Sequence, residues 1–302
     1  MKKTALIVGA LIINFGLVAQ IPIGNEGKKD CSLIVEETAR HFIVYKPAVN
    51  SSDLLPVVFM FHGTSGNGER FYNISGWKEK ADKEGFIAVF PSALRYRIEE
   101  EGIIKNTTKW NDGRLSTIVC EGQSVKNDVL FFREIVLYLK TNYKIDERRI
   151  YASGFSNGAN FVSRLTLEAS DILAATAMSA GFLRDSTFKA MELIPSYLTV
   201  GNMEPTLISD GKPMANDRNA LQNQPLANIV YRMVDKLQLE REYTIESKPY
   251  LTIYKFEKSK GAGSNIFYFG LVDSLAHKYP NGINHPTVNA DLFWEYFTRF
   301  RK

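Results

Sequence analysis

A single serine set between two glycines constrains this chain more than any other feature. Gly154, Ser156 and Gly158 form a GxSxG pattern inside the segment 148–165, after a β-type run and before a helical one. In a sharp strand-to-helix turn the serine has a strained backbone, and glycines flank it because side chains there would clash with neighbouring elements. The turn exposes the hydroxyl at a helix start, where backbone N–H groups can stabilise developing negative charge. The pattern therefore predicts a nucleophilic serine.

Apolar runs of strand length alternate with amphipathic runs of helix length along the sequence. The predicted strands are short, apolar and buried, and they cover residues 55–61, 85–90, 149–152, 174–179, 196–200 and 265–272. Residues 41–45 are predicted to form an edge strand, and apolar stripes predict helices within 124–143, at 226–237 and after residue 287. This alternation implies an α/β fold whose mostly parallel sheet carries helices on both faces. No repeat or low-complexity linker interrupts it, so residues 20–302 are predicted to form one domain.

The charge balance and the metal-ligating residues argue against two classes of function. The 302 residues include 37 Lys plus Arg and 33 Asp plus Glu, a formal net charge of +4. No basic block provides the clustered charge that a nucleic-acid-binding surface needs. Two cysteines and four histidines, without a CxxC pair or an HExxH helix, leave little material for a structural zinc site. We therefore expect neither a nucleic-acid partner nor a metal.

The first 19 residues are predicted to be a signal peptide. Two lysines provide a positive start, and the following run 5–19 is apolar apart from one asparagine and two glycines. This run is shorter than the roughly 20 residues that a membrane-spanning helix needs. The sequence thus predicts a secreted or periplasmic protein without a stable membrane anchor, and an uncleaved anchor is the alternative.

The two cysteines allow two arrangements. A disulfide between Cys31 and Cys120 is chemically permissible in an exported protein, because extracytoplasmic compartments are oxidising. Two thiols that pack separately as small hydrophobic groups fit the count and the compartment about as well.

One of the four histidines must serve Ser156 as a base, because a serine hydroxyl is a poor nucleophile until its proton is removed. In the elbow architecture the acid and the histidine follow the serine in chain order, which argues against His41 and His62. His277 lies in the loop just beyond the last predicted strand, whereas His285 lies further along. We predict His277 as the base, His285 as a surface or capping residue and His62 as a support beneath its own loop.

The acid that orients the imidazole should follow the strand predicted at 196–200. Glu204 comes four residues after that strand, and Asp210 comes later. Either type of carboxylate can hold the histidine tautomer and stabilise the imidazolium. Glu204 is the first candidate and Asp210 the second.

Two backbone amides are predicted to hold the oxyanion of a tetrahedral intermediate. One is the N–H of Asn157, the residue after the nucleophile, and the other should come from the loop after an early strand. That loop is 61–64, in which Gly63 allows the backbone to approach a substrate closely. The N–H of Thr64 is therefore the predicted second donor.

Six segments of the chain form a characteristic series. In chain order they read FMFHGTSGNG, GFIAVFPSA, DVLFFREIV, RRIYASGFSNGANFVSRL, AATAMSAG and AHKYPNG. Across about residues 38–301, this series resembles the secreted polyhydroxybutyrate depolymerase and feruloyl esterase family of α/β-hydrolases. The resemblance implies the α/β-hydrolase fold, with Ser156 as nucleophile, His277 as base and Glu204 as acid. The chain departs from the family pattern where GNME replaces a GTxD-like turn and where Tyr279 stands in place of the usual tryptophan.

Together these residues predict a secreted serine carboxylesterase that needs no cofactor. The resemblance implies extracellular ester substrates, either feruloyl or acetyl groups on plant polysaccharide or a short hydroxyalkanoate polyester. Trp110, in the segment KWNDG, is predicted to line the acyl or aromatic site, with a buried core position as the alternative. Two other functions stay open: a secreted serine peptidase, and a noncatalytic carbohydrate-binding or interaction protein on the same scaffold.

Overall fold

One mixed sheet of ten strands organises the part of the chain that the computed structural model describes, namely residues 26–48, 53–185, 187–208, 211–261 and 265–302. The strands are, in chain order, β1 (Gly27–Val35), β2 (Thr38–Lys46), β3 (Leu55–Phe61), β4 (Ile87–Pro91), β5 (Arg95–Glu100), β6 (Ile103–Thr108), β7 (Ile145–Phe155), β8 (Ala175–Ser179), β9 (Ser196–Gly201), β10 (Thr244–Lys248), β11 (Leu251–Phe256) and β12 (Phe267–Val272). Of these, β5 and β6 form a separate hairpin. The helices are α1 (Gly68–Ile74), α2 (Trp77–Glu84), α3 (Asp128–Asn142), α4 (Asn157–Glu168), α5 (Gln224–Lys236) and α6 (Asn289–Phe297).

The centre of the sheet is parallel. The strand order is β1-β2-β4-β3-β7-β8-β9-β12-β11-β10, and each neighbouring pair within the run from β4 to β12 is parallel. Antiparallel strands extend the sheet at both edges, β2 and β1 on one side and β11 and β10 on the other. Every residue of β3 is buried, as expected for a central strand covered on both faces. The predicted mostly parallel sheet is confirmed.

Alternate residues of the central strands contribute to two separate cores. On β3, Val57 and Phe59 belong to one core, whereas Val58 and Met60 belong to the other. Side chains of α3, α4 and α5 complete the first core, and those of α1, α2 and α6 complete the second. Because successive side chains of a strand point to opposite faces, one buried strand anchors both layers of helices.

Asparagine caps fix the starts of three of the described helices, among them α3 and α5. The Asn127 side chain accepts a hydrogen bond from the backbone N–H of Leu130 in α3, and that of Asn223 accepts one from Leu226 in α5. Such caps satisfy backbone donors that a helix leaves unpaired at its start. By contrast, α4 has no side-chain cap and begins directly after Ser156. Its first amides therefore face the region of the predicted nucleophile.

Several predictions about the strands need correction. The predicted edge position of residues 41–45 is wrong, because β1 pairs with β2 on its outer side. Most residues of β1 are exposed or half-buried, so the sequence carries no continuous apolar run there. The β5–β6 hairpin and strands β10 and β11 have no predicted counterpart, and β7 extends beyond the predicted 149–152 at both ends.

The structure bears on only some of the expectations about export. The predicted signal peptide, residues 1–19, lies outside the described residues. Within the described ranges, no helix combines the length and the apolar character needed to cross a membrane. Cys31 and Cys120 are both free thiols, and the Sγ atom of Cys31 lies 3.5 Å from Oη of Tyr138. The structure thus has separately packed cysteines, the second of the two arrangements that the sequence allows.

A buried ion pair ties the first strands to α3. Nη2 of Arg40 lies 2.5 Å from Oδ1 of Asp128, and both side chains are 1% exposed. The other carboxylate oxygen of Asp128 accepts a hydrogen bond from the backbone N–H of Asn111 at 2.7 Å. The Arg40 guanidinium also lies 4.0 Å from the ring centroid of Phe131. The pair therefore connects β2 and α3 to the loop around Asn111.

Replacing Asp128 by asparagine should destabilise the fold strongly. The change leaves the Arg40 charge buried without a counter-charge, which should lower the free energy of unfolding by about 3–5 kcal/mol. Denaturant unfolding followed by circular dichroism measures this loss. The matched control is Asp171→Asn, which breaks a partly exposed pair with Arg133, 2.8 Å apart, and should cost less than about 1 kcal/mol. Equal losses in the two variants would contradict the role given to the buried pair.

Candidate active site

Four strands of the parallel sheet end at one edge, and the loops that follow them carry the predicted site residues. Thr64 follows β3, Ser156 follows β7, Glu204 follows β9 and His277 follows β12. Because the carboxyl ends of parallel strands lie side by side, residues far apart in sequence meet there. The structure brings these four residues together around one cleft.

Ser156 has a backbone conformation that L-residues rarely adopt. Its φ and ψ are 54° and −121°, at the junction of β7 and α4. The glycines of the motif permit the tight turn, since a Cβ on Gly154 would lie 2.5 Å from the carbonyl oxygen of Gly158, and one on Gly158 would lie 2.2 Å from that of Phe61. The backbone N–H of Ser156 donates to the carbonyl of Ser179 on β8 at 2.8 Å. This turn has the geometry expected of a nucleophile elbow.

A continuous chain of hydrogen bonds joins the serine, the histidine and the acid. Nε2 of His277 lies 2.9 Å from Oγ of Ser156, and Nδ1 of His277 lies 2.8 Å from Oε2 of Glu204. The Glu204 side chain is 6% exposed, whereas that of His277 is 42% exposed. With Nδ1–H donating to the buried carboxylate, Nε2 is free to accept the proton of the hydroxyl. The arrangement can therefore activate the serine as a nucleophile.

The two backbone N–H groups that the sequence predicts as oxyanion donors have no acceptor in the described part of the chain. They belong to Thr64, in the loop after β3, and to Asn157, the first residue of α4. The Asn157 side chain is engaged, because its Oδ1 accepts from the backbone N–H of Trp110 at 2.7 Å and its Nδ2 donates to the Trp110 carbonyl at 3.2 Å. These contacts hold the start of α4 in place. Because neither backbone N–H has an acceptor among the described residues, both can donate to an oxygen of a ligand.

Trp110 lies in the core and not in the cleft. Its side chain is 0% exposed and stacks on Phe161, with 5.3 Å between the ring centroids. Its Nε1–H donates to the carbonyl of His62 at 2.9 Å. The prediction that Trp110 lines an acyl or aromatic site is therefore wrong, because core side chains enclose its ring. Trp110 instead joins the loop after β3, through its indole, to the start of α4, through its backbone.

His62 lies beneath the loop that carries Thr64. Its ring is fully buried, its Nδ1–H donates to the carbonyl of Gly63 at 2.7 Å, and its Nε2 accepts from the backbone N–H of Ala93 at 3.0 Å. Burial lowers the pKa of His62 to about 4, although the hydrogen bond to Gly63 acts in the opposite direction. The imidazole is therefore neutral at neutral pH and serves to position the loop.

Two further candidates from the sequence are His285 for the base and Asp210 for the acid. His285 is buried, and its Nε2–H donates to the carbonyl of Asp273 at 2.8 Å. Its Nδ1 accepts from the backbone N–H of Thr287 at 3.0 Å, so the ring holds a loop before α6. Asp210, the second candidate for the acid, lies outside the described residues.

Two residues that position the site carry no recognisable signal in the sequence. Asp112 is 4% exposed, and its carboxylate accepts hydrogen bonds from the Nδ2 atoms of Asn160 at 3.1 Å and Asn157 at 3.4 Å. Oδ1 of Asn160 in turn accepts from the backbone N–H of Phe182 at 2.8 Å. The two residues thus connect the loop after β6, the helix α4 and the loop after β8. Only the polar residues of the KWNDG segment could have indicated such a network.

Two clefts open beside the Ser156 hydroxyl. The acid-side cleft has a volume of about 370 Å³, and its lining includes, besides Ser156, Glu204 and His277, the residues Lys109, Asn160, Phe182, Arg184, Val200 and Leu207. The second cleft has a volume of about 440 Å³ and extends towards Tyr279, whose ring packs against Phe71 and Phe155. Among the residues that the structure describes, no three His, Cys, Asp or Glu side chains are grouped as metal ligands would be.

The sheet order, the serine turn and the chain order of serine, acid and histidine define an α/β-hydrolase fold. The sequence pattern of the family described as Esterase PHB depolymerase matches residues 40–210. This match covers more than half of the chain, and the chain belongs to that family. The matched region includes Thr64, Ser156 and Glu204, whereas His277 lies beyond it.

Relatives of the chain include proteins that are named as an acetylxylan esterase/xylanase and as a feruloyl esterase. The chain is 26% identical over 168 residues to a bifunctional acetylxylan esterase/xylanase of Neocallimastix patriciarum, a match that covers 56% of this chain and 22% of the relative. It is 25% identical over 126 residues to feruloyl esterase B of Thermothelomyces thermophilus, covering 42% of this chain and 39% of the relative. The chain thus spans well under half the length of both relatives.

Solved structures of similar fold extend the comparison to nearly the whole chain. An acetyl xylan esterase from Aspergillus awamori superposes with a TM-score of 0.62 over 90% of this chain and 99% of that chain, at 14% identity. A thermostable esterase superposes with a TM-score of 0.56 over 91% of this chain and 63% of that chain, at 16% identity. At these identities the comparison supports the fold alone.

The free energy of unfolding should depend on pH through His62. Its pKa of about 4 in the folded state lies below the ordinary value of 6.5, so between these values the unfolded state binds more protons and stability falls as the pH is lowered. The complete effect is on the order of 3 kcal/mol. Denaturant unfolding at about pH 7 and about pH 4 should show a larger loss for the wild type than for His62→Gln, which cannot titrate. The same loss in both proteins would rule out this contribution.

Proposed function

We propose that this protein is a serine carboxylesterase in which Ser156 is the nucleophile, His277 the base and Glu204 the orienting acid. The observation that carries the proposal is the unbroken run of hydrogen bonds from the hydroxyl to the buried carboxylate, 2.9 Å and 2.8 Å long. The hydroxyl lies where two clefts meet, so each half of an ester has space beside it. Membership of an esterase family supports the same class of reaction.

The first half of the reaction transfers the acyl group to the protein. Oγ of Ser156 attacks the ester carbonyl carbon while its proton passes to Nε2 of His277, and Glu204 stabilises the resulting imidazolium. The carbonyl oxygen becomes an oxyanion that the backbone amides of Asn157 and Thr64 stabilise. When the tetrahedral intermediate collapses, the bond to the alcohol oxygen breaks, and His277 returns its proton to that oxygen. The alcohol leaves, and the acyl group stays on Ser156 as an ester.

The second half releases the acid by the same chemistry with water. Nε2 of His277 takes a proton from a water molecule, whose oxygen attacks the acyl carbon. The same two amides stabilise the second oxyanion. The bond to Oγ of Ser156 then breaks, and the proton on His277 restores the hydroxyl. The proton transfers and bond changes of both halves thus involve only Ser156, His277, the ester and water, with Glu204 and the two amides stabilising the charges.

The proposed substrates are extracellular esters, either acetyl or feruloyl groups on plant polysaccharide or a short hydroxyalkanoate polyester. The family description and the names of the two relatives support this class. The acid-side cleft has the size of a typical small-ligand site, and Phe182, Val200 and Leu207 give it an apolar wall suited to an acyl chain or an aromatic ring. We also propose that the signal peptide predicted at residues 1–19 exports the chain, because only an exported protein can reach a polymer outside the cell.

Replacing Ser156 by alanine should abolish ester hydrolysis. Without the nucleophile, kcat for p-nitrophenyl acetate should fall by roughly 10⁴-fold or more, measured as release of nitrophenolate. Ser153→Ala is the matched control, because Ser153 lies buried on the same strand and lines neither cleft. This variant should keep the activity of the wild type.

The same assay separates the esterase from its two alternatives. If the wild type and Ser156→Ala are equally inactive on short acyl, feruloyl and hydroxybutyrate esters, a noncatalytic binding protein explains the fold better. If the wild type cleaves peptides in place of esters, the protein is a peptidase with the same triad.

Replacing Glu204 by glutamine should lower kcat by about 10²–10⁴-fold, because the amide no longer stabilises the imidazolium that forms on His277. KM should change little, since the carboxylate acts through the imidazole. Kinetics with p-nitrophenyl acetate measure both constants, and Asp210→Asn provides the comparison. A large loss in Asp210→Asn together with a small loss in Glu204→Gln would show that the acid is assigned wrongly.

A further inference from the structure

Arg184 places a cationic side chain in the wall of the acid-side cleft. The residue follows β8 in the chain, and it lines both this cleft and the neighbouring groove. Its Nε is buried and has no hydrogen-bond partner within the described ranges. Lys109, the other cation of the cleft, is paired, since its Nζ lies 2.5 Å from Oε1 of Glu100. Of these two cations, Lys109 is neutralised by an ion pair, whereas Arg184 keeps a guanidinium N–H without an acceptor in the part of the chain that the structure describes.

The Arg184 side chain is half-buried, and the charges around it balance its own charge only in part. Burial lowers the pKa of Arg184, and the negative charges of Asp112 and Glu100 offset this only in part. The Asp112 carboxylate already accepts hydrogen bonds from Nδ2 of Asn160 and from the backbone N–H of Arg114. Arg114 and Arg232 add further positive charge nearby. An anion that enters the cleft would meet the accessible part of this half-buried guanidinium, and the charge-assisted contact would stabilise the position.

The loop that carries Arg184 is held in place by the protein itself. The backbone N–H of Phe182 donates to Oδ1 of Asn160 at 2.8 Å, and the carbonyl of Leu183 accepts from Nη1 of Arg232 at 2.9 Å. The Leu183 side chain is 1% exposed, and the Arg184 guanidinium lies 5.0 Å from the ring centroid of Phe182. A ligand would therefore meet a guanidinium that is already positioned, which reduces the entropy lost on binding.

We propose that Arg184 determines specificity by binding a carboxylate carried by the ester substrate, an inference that rests on the proposed esterase function. A guanidinium offers two parallel N–H donors that match the two oxygens of a carboxylate. The substrate class is an ester with a second, free carboxylate. That carboxylate belongs either to the acyl half, as in the monoester of a dicarboxylic acid, or to the alcohol half, as in the ester of a uronic acid unit.

This contact involves no reacting atom, so it should act on binding. A carboxylate held by Arg184 keeps its charge from the bound substrate through the transition state. Interactions that are equal in both states lower KM and leave kcat nearly unchanged. The expected signature of the contact is therefore a change in KM for charged esters.

Two matched pairs of esters test the proposal. Monoethyl glutarate and ethyl pentanoate differ by a carboxylate on the acyl half, whereas para-acetoxybenzoate and phenyl acetate differ by one on the alcohol half. For one of the pairs, kcat/KM of the wild type should favour the charged member by about tenfold or more. Arg184→Gln should remove this preference, mainly through KM, with hydrolysis followed by titration of the released acid at constant pH.

Two further variants distinguish a direct contact from a general effect of charge. Arg184→Lys keeps the charge but loses the planar pair of donors, so it should restore only part of the preference. Arg114→Gln removes an exposed charge from the neighbouring groove and should keep the preference of the wild type. An unchanged preference in Arg184→Gln, or an equal loss in Arg114→Gln, would overturn the proposal.

A binding measurement keeps this test separate from the test of esterase activity. If the wild type hydrolyses neither these four esters nor the short acyl, feruloyl and hydroxybutyrate esters, the proposed function fails, but recognition of the carboxylate can still be measured. Saturation-transfer NMR with the Ser156→Ala protein should detect monoethyl glutarate or para-acetoxybenzoate, and adding Arg184→Gln should weaken that binding by about tenfold or more. Equal binding by the two proteins would refute the role of Arg184 whatever the outcome of the kinetic assay.

Discussion

The candidate site depends above all on the hydrogen bond between the Ser156 hydroxyl and the His277 imidazole. This bond joins residues 121 positions apart in the chain, so it requires β7 and β12 to end at the same edge of the sheet. Holding the hydroxyl there places Ser156 in a strained backbone conformation, which costs on the order of 1–3 kcal/mol. The close approach of Gly154, Gly158 and Phe61 stabilises that turn, and larger side chains would prevent it.

Side chains other than those of Ser156, His277 and Glu204 determine where the reacting groups lie. Trp110 holds Asn157 through its backbone and His62 through its indole, so a core residue connects the loops that carry the two free amides. Asp112 and Asn160 extend the same network to the loop after β8. Because these groups are fixed before a substrate arrives, the site does not have to reorganise during the reaction.

The fold can be predicted from this sequence because its signals are local. Continuous apolar runs mark the parallel strands, and the order of serine, acid and histidine follows from the type of turn. Edge strands such as β1 and β10 are largely exposed and lack such runs, so their positions depend on contacts that no local pattern records. The place of Trp110 could not be predicted either, because a large apolar ring suits a core and a substrate site equally. The residues proposed as the triad could be selected because each follows a predicted strand.

Covalent labelling with a fluorophosphonate tests the central claim most directly, since such a reagent is attacked by an activated serine and stays bound to it. Digestion and mass spectrometry of the labelled protein should place one adduct on Ser156, and His277→Ala should prevent its formation. An adduct on another serine, or equal labelling of Ser156 with and without the imidazole, would show that the contact between these two residues does not activate the hydroxyl.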